Sequence, residues 1–135
     1  MAPVQIAVLG SAALFGIVIL FQLALVFGAP WGEYAYGGRF KGVLPPAARI
    51  ASGISILLYV AIIGHYYAQI SVLPKLLDPI FNNLANWAVV LICAQALVLN
   101  LITRSKKERA IWAPVALLLL IASFIIALTP PSSLI

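Results

Sequence analysis

The chain alternates long apolar runs with short polar breaks. The first run extends from about Ile6 to Phe27, with Ser11 and Gln22 as its polar interruptions. A second covers about Ala47 to Ile70. A third is securely apolar from Leu84 to Ile102, and a fourth reaches about Leu128. A helix of roughly 20 residues crosses the hydrocarbon core of a bilayer, and each run meets that length. Lipid offers no partner for unpaired backbone groups, and these runs are too continuously apolar for barrel strands, so helices are required. The pattern predicts an all-α membrane protein, a single domain spanning the membrane at about 6–28, 47–70, 80–103 and 106–128. The short connections predict an antiparallel up-down bundle.

The breaks carry helix signals. Gly28 stands where a left-handed C-terminal cap is expected, with Pro30 beyond it. Pro45 and Pro46 open the second span, since proline is tolerated in a first helical turn. Asp78 before Pro79 reads as an N-cap, and Ser105 with Glu108 has capping-box spacing. Pro114 predicts a kink in the fourth span, which is expected to end before Pro130 and Pro131. Ala12 with Gly16, and Ala48 with Ser52 and Ser55, mark candidate close helix contacts.

Composition agrees with this pattern: 64% of the 135 residues are hydrophobic and 8% charged, against about a quarter charged in soluble domains. The net charge of +5 does not point to nucleic acid, because the cations lie in short segments between apolar runs. There they orient a membrane protein instead. Arg39, Lys41, Arg49, Arg104, Lys106, Lys107 and Arg109 fall on one side of a four-span topology, and Lys75 on the other. This bias places loops 29–46 and 104–109 in the cytoplasm and both termini outside. The first run lacks a basic flank and exceeds an h-region, so it reads as a retained helix rather than a cleaved signal. Cys93, the single cysteine, excludes an intramolecular disulfide and any CxxC site; it reads as a small buried hydrophobe.

Candidate chemistry gathers in the two basic loops. In the first, Tyr34 and Tyr36 alternate with Ala35 before Gly37-Gly38, a spacing that predicts a short β-hairpin. Its glycines match no nucleotide-binding pattern. The plain reading places Trp31, Tyr34, Tyr36 and Phe40 at the headgroup level. The functional reading gathers Glu33, Arg39 and Arg49 into a polar cluster, with Arg109, one turn before Trp112, reaching across to Glu33. The basic loop at 104–109 also attracts anionic lipid, at about 1 kcal/mol per cation. Within the spans, Gln22, Gln95 and Asn100 are neutral polar residues of the kind that bond between helices. Gln22 and Asn100 are expected to line a shallow cavity under the first loop, and His65 reads as a packing residue. With no secure intramembrane charge, proton-coupled pumping is disfavoured. No nucleophile, base and orienter can be assembled, so no catalytic residue is assigned and an enzyme is disfavoured. No metal site or cofactor is expected either.

Two stretches together, Ala29-Pro30-Trp31-Gly32 with Gly37-Gly38, Leu44-Pro45 and Arg49, and later Asn100, Ser105, Glu108-Arg109, Trp112 and Pro114, resemble a group of small uncharacterised bacterial four-helix membrane proteins. The resemblance implies the four-span fold and a bacterial inner membrane, and no activity.

The expected function is a non-catalytic membrane binding or accessory protein. Its polar site at the cytoplasmic end, built from Glu33, Arg39, Arg49, Asn100, Arg109 and Trp112, would take a lipid headgroup, an anionic ligand or a partner. The alternative is a small oligomeric transporter or channel with Gln22 and Gln95 along its path. Membrane lipids are the expected partners, together with a homo-oligomer or a larger membrane complex.

Overall fold

A computed structural model describes residues 1–129 of the chain. Its four long helices are α1 (Pro3–Val26), α2 (Pro46–Gln69), α3 (Pro79–Ile102) and α4 (Lys106–Ala127). Each is long and apolar enough to cross a membrane. They are apolar all round: Leu20, Leu57, Leu91 and Leu118, one on each helix, are 52–72% exposed. A helix surface of this kind needs lipid or another apolar medium around it.

The ends follow from local chemistry. The last turn of α1 closes as a Schellman motif: the Gly28 N–H donates to the Leu25 carbonyl and the Ala29 N–H to the Ala24 carbonyl, with Gly28 at φ +92°. The end of α2 closes the same way through Ser71, a non-glycine residue at φ +62°. Asp78 caps α3 by accepting from the Ile80 and Phe81 N–H groups. The helix α4 continues through Pro114 to Ala127; Pro130 and Pro131, expected to follow it, lie outside the described residues.

The main core joins the start of α1 (Val4, Val8), the end of α2 (Ile62, Tyr66), the middle of α3 (Val89, Cys93) and the second half of α4 (Leu119, Ile126). This half of the bundle is the far end; the half under the first loop is the loop end. Close backbone packing joins α3 to α4, α1 to α2 and α1 to α4. Ala48 and Ser52 are buried in this packing. A Cβ at Gly16 would meet nothing within 4 Å, so that glycine does not mark a close helix contact here.

At the far end α2 and α3 are joined by side chains. Gln69 and Asn82 form a reciprocal amide pair, with N···O distances of 2.9 and 2.8 Å. Asn86 donates to the same Gln69 oxygen at 3.2 Å and accepts from His65 Nε2 at 2.8 Å. Because the Asn86 amide nitrogen is already donating to Gln69, its oxygen is the acceptor and His65 must carry its proton on Nε2.

The hairpin expected around Gly37-Gly38 is absent, and the described residues contain no strand. The loop forms two 3-10 turns, Gly32–Tyr34 and Tyr36–Gly38. Tyr36, Gly37 and Gly38 all have positive φ, at 51°, 71° and 71°. This left-handed coil keeps the aromatic residues from pairing across a ladder and turns them onto the helices instead.

Candidate functional site

The first loop is fastened to the bundle at several points. Gly32 donates to the Gly42 carbonyl at 2.8 Å, closing the loop on itself. A side chain at Gly32 would sit 2.5 Å from the Phe40 carbonyl oxygen and 2.7 Å from that of Gly42. Only glycine fits there. The Tyr36 hydroxyl lies 3.0 Å from Ser52 Oγ and 3.2 Å from the Ala48 carbonyl, tying the loop to α2. Ser105 Oγ donates to the Glu33 carbonyl at 2.6 Å and Trp112 Nε1 to the Tyr34 carbonyl at 2.9 Å, tying it to the start of α4. Phe21 of α1 packs against Trp31 and Trp112, with ring centroids 6.3 and 4.7 Å away.

Beneath this cover lies a cavity of about 650 Å³ bounded by all four helices and the loop. Its floor is apolar, with Phe15, Val18, Cys93 and Leu119. Its upper wall is mixed, with Gln22, Asn100, Thr103 and Glu108 among aromatic residues that include Phe21, Tyr34, Tyr59 and Trp112. The exposed members of the lining are Tyr36 and Gly37 of the loop and Leu99, Ile102 and Arg104 at the end of α3. They mark a mouth on the side where α2 and α3 make little backbone contact.

The residues singled out from sequence divide into three groups. Asn100, Gln22 and Trp112 line the cavity. Asn100 donates to the Ala96 carbonyl of its own helix at 2.8 Å, while the Gln22 amide oxygen, shut from solvent, has no hydrogen-bond partner. Arg49 and Arg109 are structural caps. Arg49 places Nε and Nη2 on the Val26 carbonyl at 3.0 and 2.7 Å, satisfying the C-terminus of α1. Arg109 donates to the Thr103 carbonyl at 3.2 Å. Arg39 is exposed and lies over the Phe40 ring at 5.5 Å, and Gln95 is exposed on α3 away from the cavity.

Glu33 pairs with Lys107 at 2.7 Å rather than with Arg109. Arg109 is drawn to the end of α3, and Lys107, two residues earlier and on another side of the helix, faces the loop. The hydrogen bond and charge of Lys107 hold the Glu33 carboxyl below its ordinary range, with a smaller contribution from Lys41.

By its spacing from Ser105, Glu108 is a capping residue. Half of the capping box forms: Ser105 Oγ accepts from the Glu108 N–H at 3.1 Å. The carboxylate does not return to the Ser105 N–H, which donates to Thr103 Oγ1 instead. Glu108 accepts the Thr103 hydroxyl at 2.7 Å and is buried in the cavity wall. The far-end amides were also missed. Their signal was the spacing of His65 with Gln69 and of Asn82 with Asn86, which puts each pair on one helix face.

No group of three or more metal-ligating side chains occurs among the described residues. This chain matches no known protein-family model, no curated protein and no solved structure.

Proposed function

We propose that this protein is a non-catalytic integral membrane binding protein whose loop-end cavity accepts a lipid or another amphiphile from the surrounding bilayer. The observation that carries this reading is a volume of about 650 Å³ with polar groups at one end, an apolar floor at the other and a mouth on the α2–α3 side. Small-molecule sites have this size and this mixture of apolar wall and few polar groups. Arg104 at the mouth adds a cation at the level of the headgroups.

In this reading the bundle is up-down. The Arg49 contact to Val26 and the Gln69–Asn82 pair, which join consecutive helix ends, support it. The cation bias places the two basic loops in the cytoplasm and both termini outside. The resemblance noted above favours a bacterial inner membrane. Membrane lipid is the first partner, and a homo-oligomer or larger complex remains compatible with the apolar outer surface.

The test is lipid retention. Wild-type protein in nanodiscs of mixed phospholipid, released into a mass spectrometer, is expected to keep one amphiphile per chain. Ala96→Phe, which adds a ring to the cavity wall, is expected to lose it. Equal retention by both proteins would refute the cavity as the site. For topology, Lys41→Cys and Lys75→Cys in a Cys93→Ser background are treated with an impermeant maleimide. Labelling of position 75 alone in intact cells is expected, and the reverse pattern would overturn the orientation.

A small oligomeric transporter or channel is the second reading, favoured by Gln22 and Asn100 in the cavity wall. It requires the far-end amide network to part during transport, and crosslinking α2 to α3 there would then abolish flux.

A further inference from the structure

Glu108 is the one acidic residue in the cavity lining. Glu108 is 9% exposed, and its only hydrogen bond through the carboxylate is to Thr103, at Oε2. Among the described residues the one ion pair is Glu33–Lys107, so no Lys or Arg nitrogen lies within 4.0 Å of Glu108. Arg109, its neighbour in sequence, is turned to the Thr103 carbonyl. Asn100 spends its amide nitrogen on the Ala96 carbonyl, leaving its oxygen unbonded. The Gln22 amide oxygen has no partner. The lining therefore offers a buried carboxylate on α4 and an unbonded amide oxygen on α3, beside the uncommitted amide nitrogen of Gln22 and the hydroxyls of Tyr34 and Tyr59.

A buried carboxylate with no cation beside it suits a cationic donor. A primary ammonium carries three N–H donors and no acceptor. It also supplies the positive charge that a buried carboxylate otherwise lacks, and the faces of Phe21, Tyr34, Tyr59 and Trp112 in the same lining attract cations. An anionic headgroup would meet Glu108 as a like charge and find a cationic donor only in Arg104, which is exposed at the mouth. Resting on the cavity reading above, we infer that Glu108, with the Asn100 oxygen, selects amphiphiles bearing a primary ammonium headgroup, whose chain lies on the Phe15–Leu119 floor. Two sources share this chemistry. One is a simple alkylamine; the other is an aminophospholipid, whose phosphate would extend to Arg104.

The experiment uses the full-length protein in maltoside micelles and follows tryptophan fluorescence, since Trp112 stands in the cavity wall. Dodecylammonium chloride and 1-dodecanol are titrated at neutral pH. Wild type is expected to bind the ammonium at least about tenfold more tightly, equivalent to about 1.4 kcal/mol. Glu108→Gln, which keeps an acceptor for Thr103, is expected to lose that preference while still binding dodecanol. Equal affinity of wild type for the two probes overturns the ammonium inference and leaves the cavity reading intact. Failure of wild type to bind either probe overturns both. If Glu108→Gln does not fold, Asn100→Leu decides: a severalfold loss for the ammonium alone supports the inference, and an unchanged ratio overturns it. Lysophosphatidylethanolamine binding that falls in Arg104→Gln, with dodecylammonium binding unaltered, identifies the aminophospholipid as the source; loss of neither in Arg104→Gln identifies the alkylamine.

Discussion

The two ends of the bundle each bury amides, and they treat them differently. At the far end Gln69, Asn82 and Asn86 face one another across α2 and α3, and their amides bond mutually with His65 completing the set. At the loop end Gln22 and Asn100 face a cavity, where one amide oxygen is orphaned and the other amide turns back onto its own helix. The same residue type is glue where a partner helix presents a complementary group, and a candidate recognition element where it faces unfilled space. Interhelical bonds of this sort average about 0.6 kcal/mol in membranes, so it is the set, and not any single bond, that fastens α2 to α3.

Gln69→Leu is the sharpest way to break this comparison. It leaves the Asn82 and Asn86 amides buried without their partner, and loss of about 3 kcal/mol of stability is expected from orphaned groups that cost 1–3 kcal/mol each. Reversible unfolding in mixed micelles measures it; a change near zero would mean that the far end is no staple. Gly32→Ala comes next. Its Cβ meets two backbone carbonyl oxygens that cannot move aside cheaply, so loss of about 2 kcal/mol is expected by the scale of overpacking. Faster hydrogen exchange over residues 31–42 would localise the damage to the cover of the cavity.

Gln22→Leu should have the opposite sign to Gln69→Leu. It removes an unpartnered buried oxygen and is expected to stabilise the empty protein by about 1 kcal/mol. Destabilisation by Gln22→Leu would erase the distinction between the two ends. The smallest effect concerns pH. Because Lys107 holds the Glu33 carboxyl below its ordinary value, their ion pair favours the attached loop above the ordinary carboxylate range. That contribution is lost as pH falls through the depressed value. The pair is on the surface, so acid is expected to speed hydrogen exchange in the loop only slightly. Glu33→Gln should remove this acid dependence and leave the Trp112 and Ser105 contacts in place.

Most of the four-helix architecture could be read directly from the chain. Apolar run length decides how much backbone must be helical in lipid, and Gly28, Pro46, Asp78 and Ser105 act through neighbours in sequence, so their roles are local. The cavity under the first loop was anticipated through Gln22 and Asn100, whose positions along their runs set their depth. The hairpin was not: Gly37-Gly38 permits a two-residue turn, but docking of Tyr36 on α2 and of Trp112 on the Tyr34 carbonyl outweighs local pairing. Nor could spacing alone show which cation answers Glu33, since Lys107 and Arg109 differ by about 200° around the helix axis and only the loop's position selects between them.

The sequence by itself determined four helices of membrane length, their caps and the asymmetry of charge between the connecting segments. Each depends on hydropathy and backbone hydrogen bonding summed over neighbouring residues. Tertiary structure alone decided that Glu108, spaced as a cap, bonds Thr103 and lines a cavity, while Arg49 and Arg109 bond the carbonyls at helix ends. These roles depend on which group another segment brings within about 3 Å, and that distance is set by packing across the bundle.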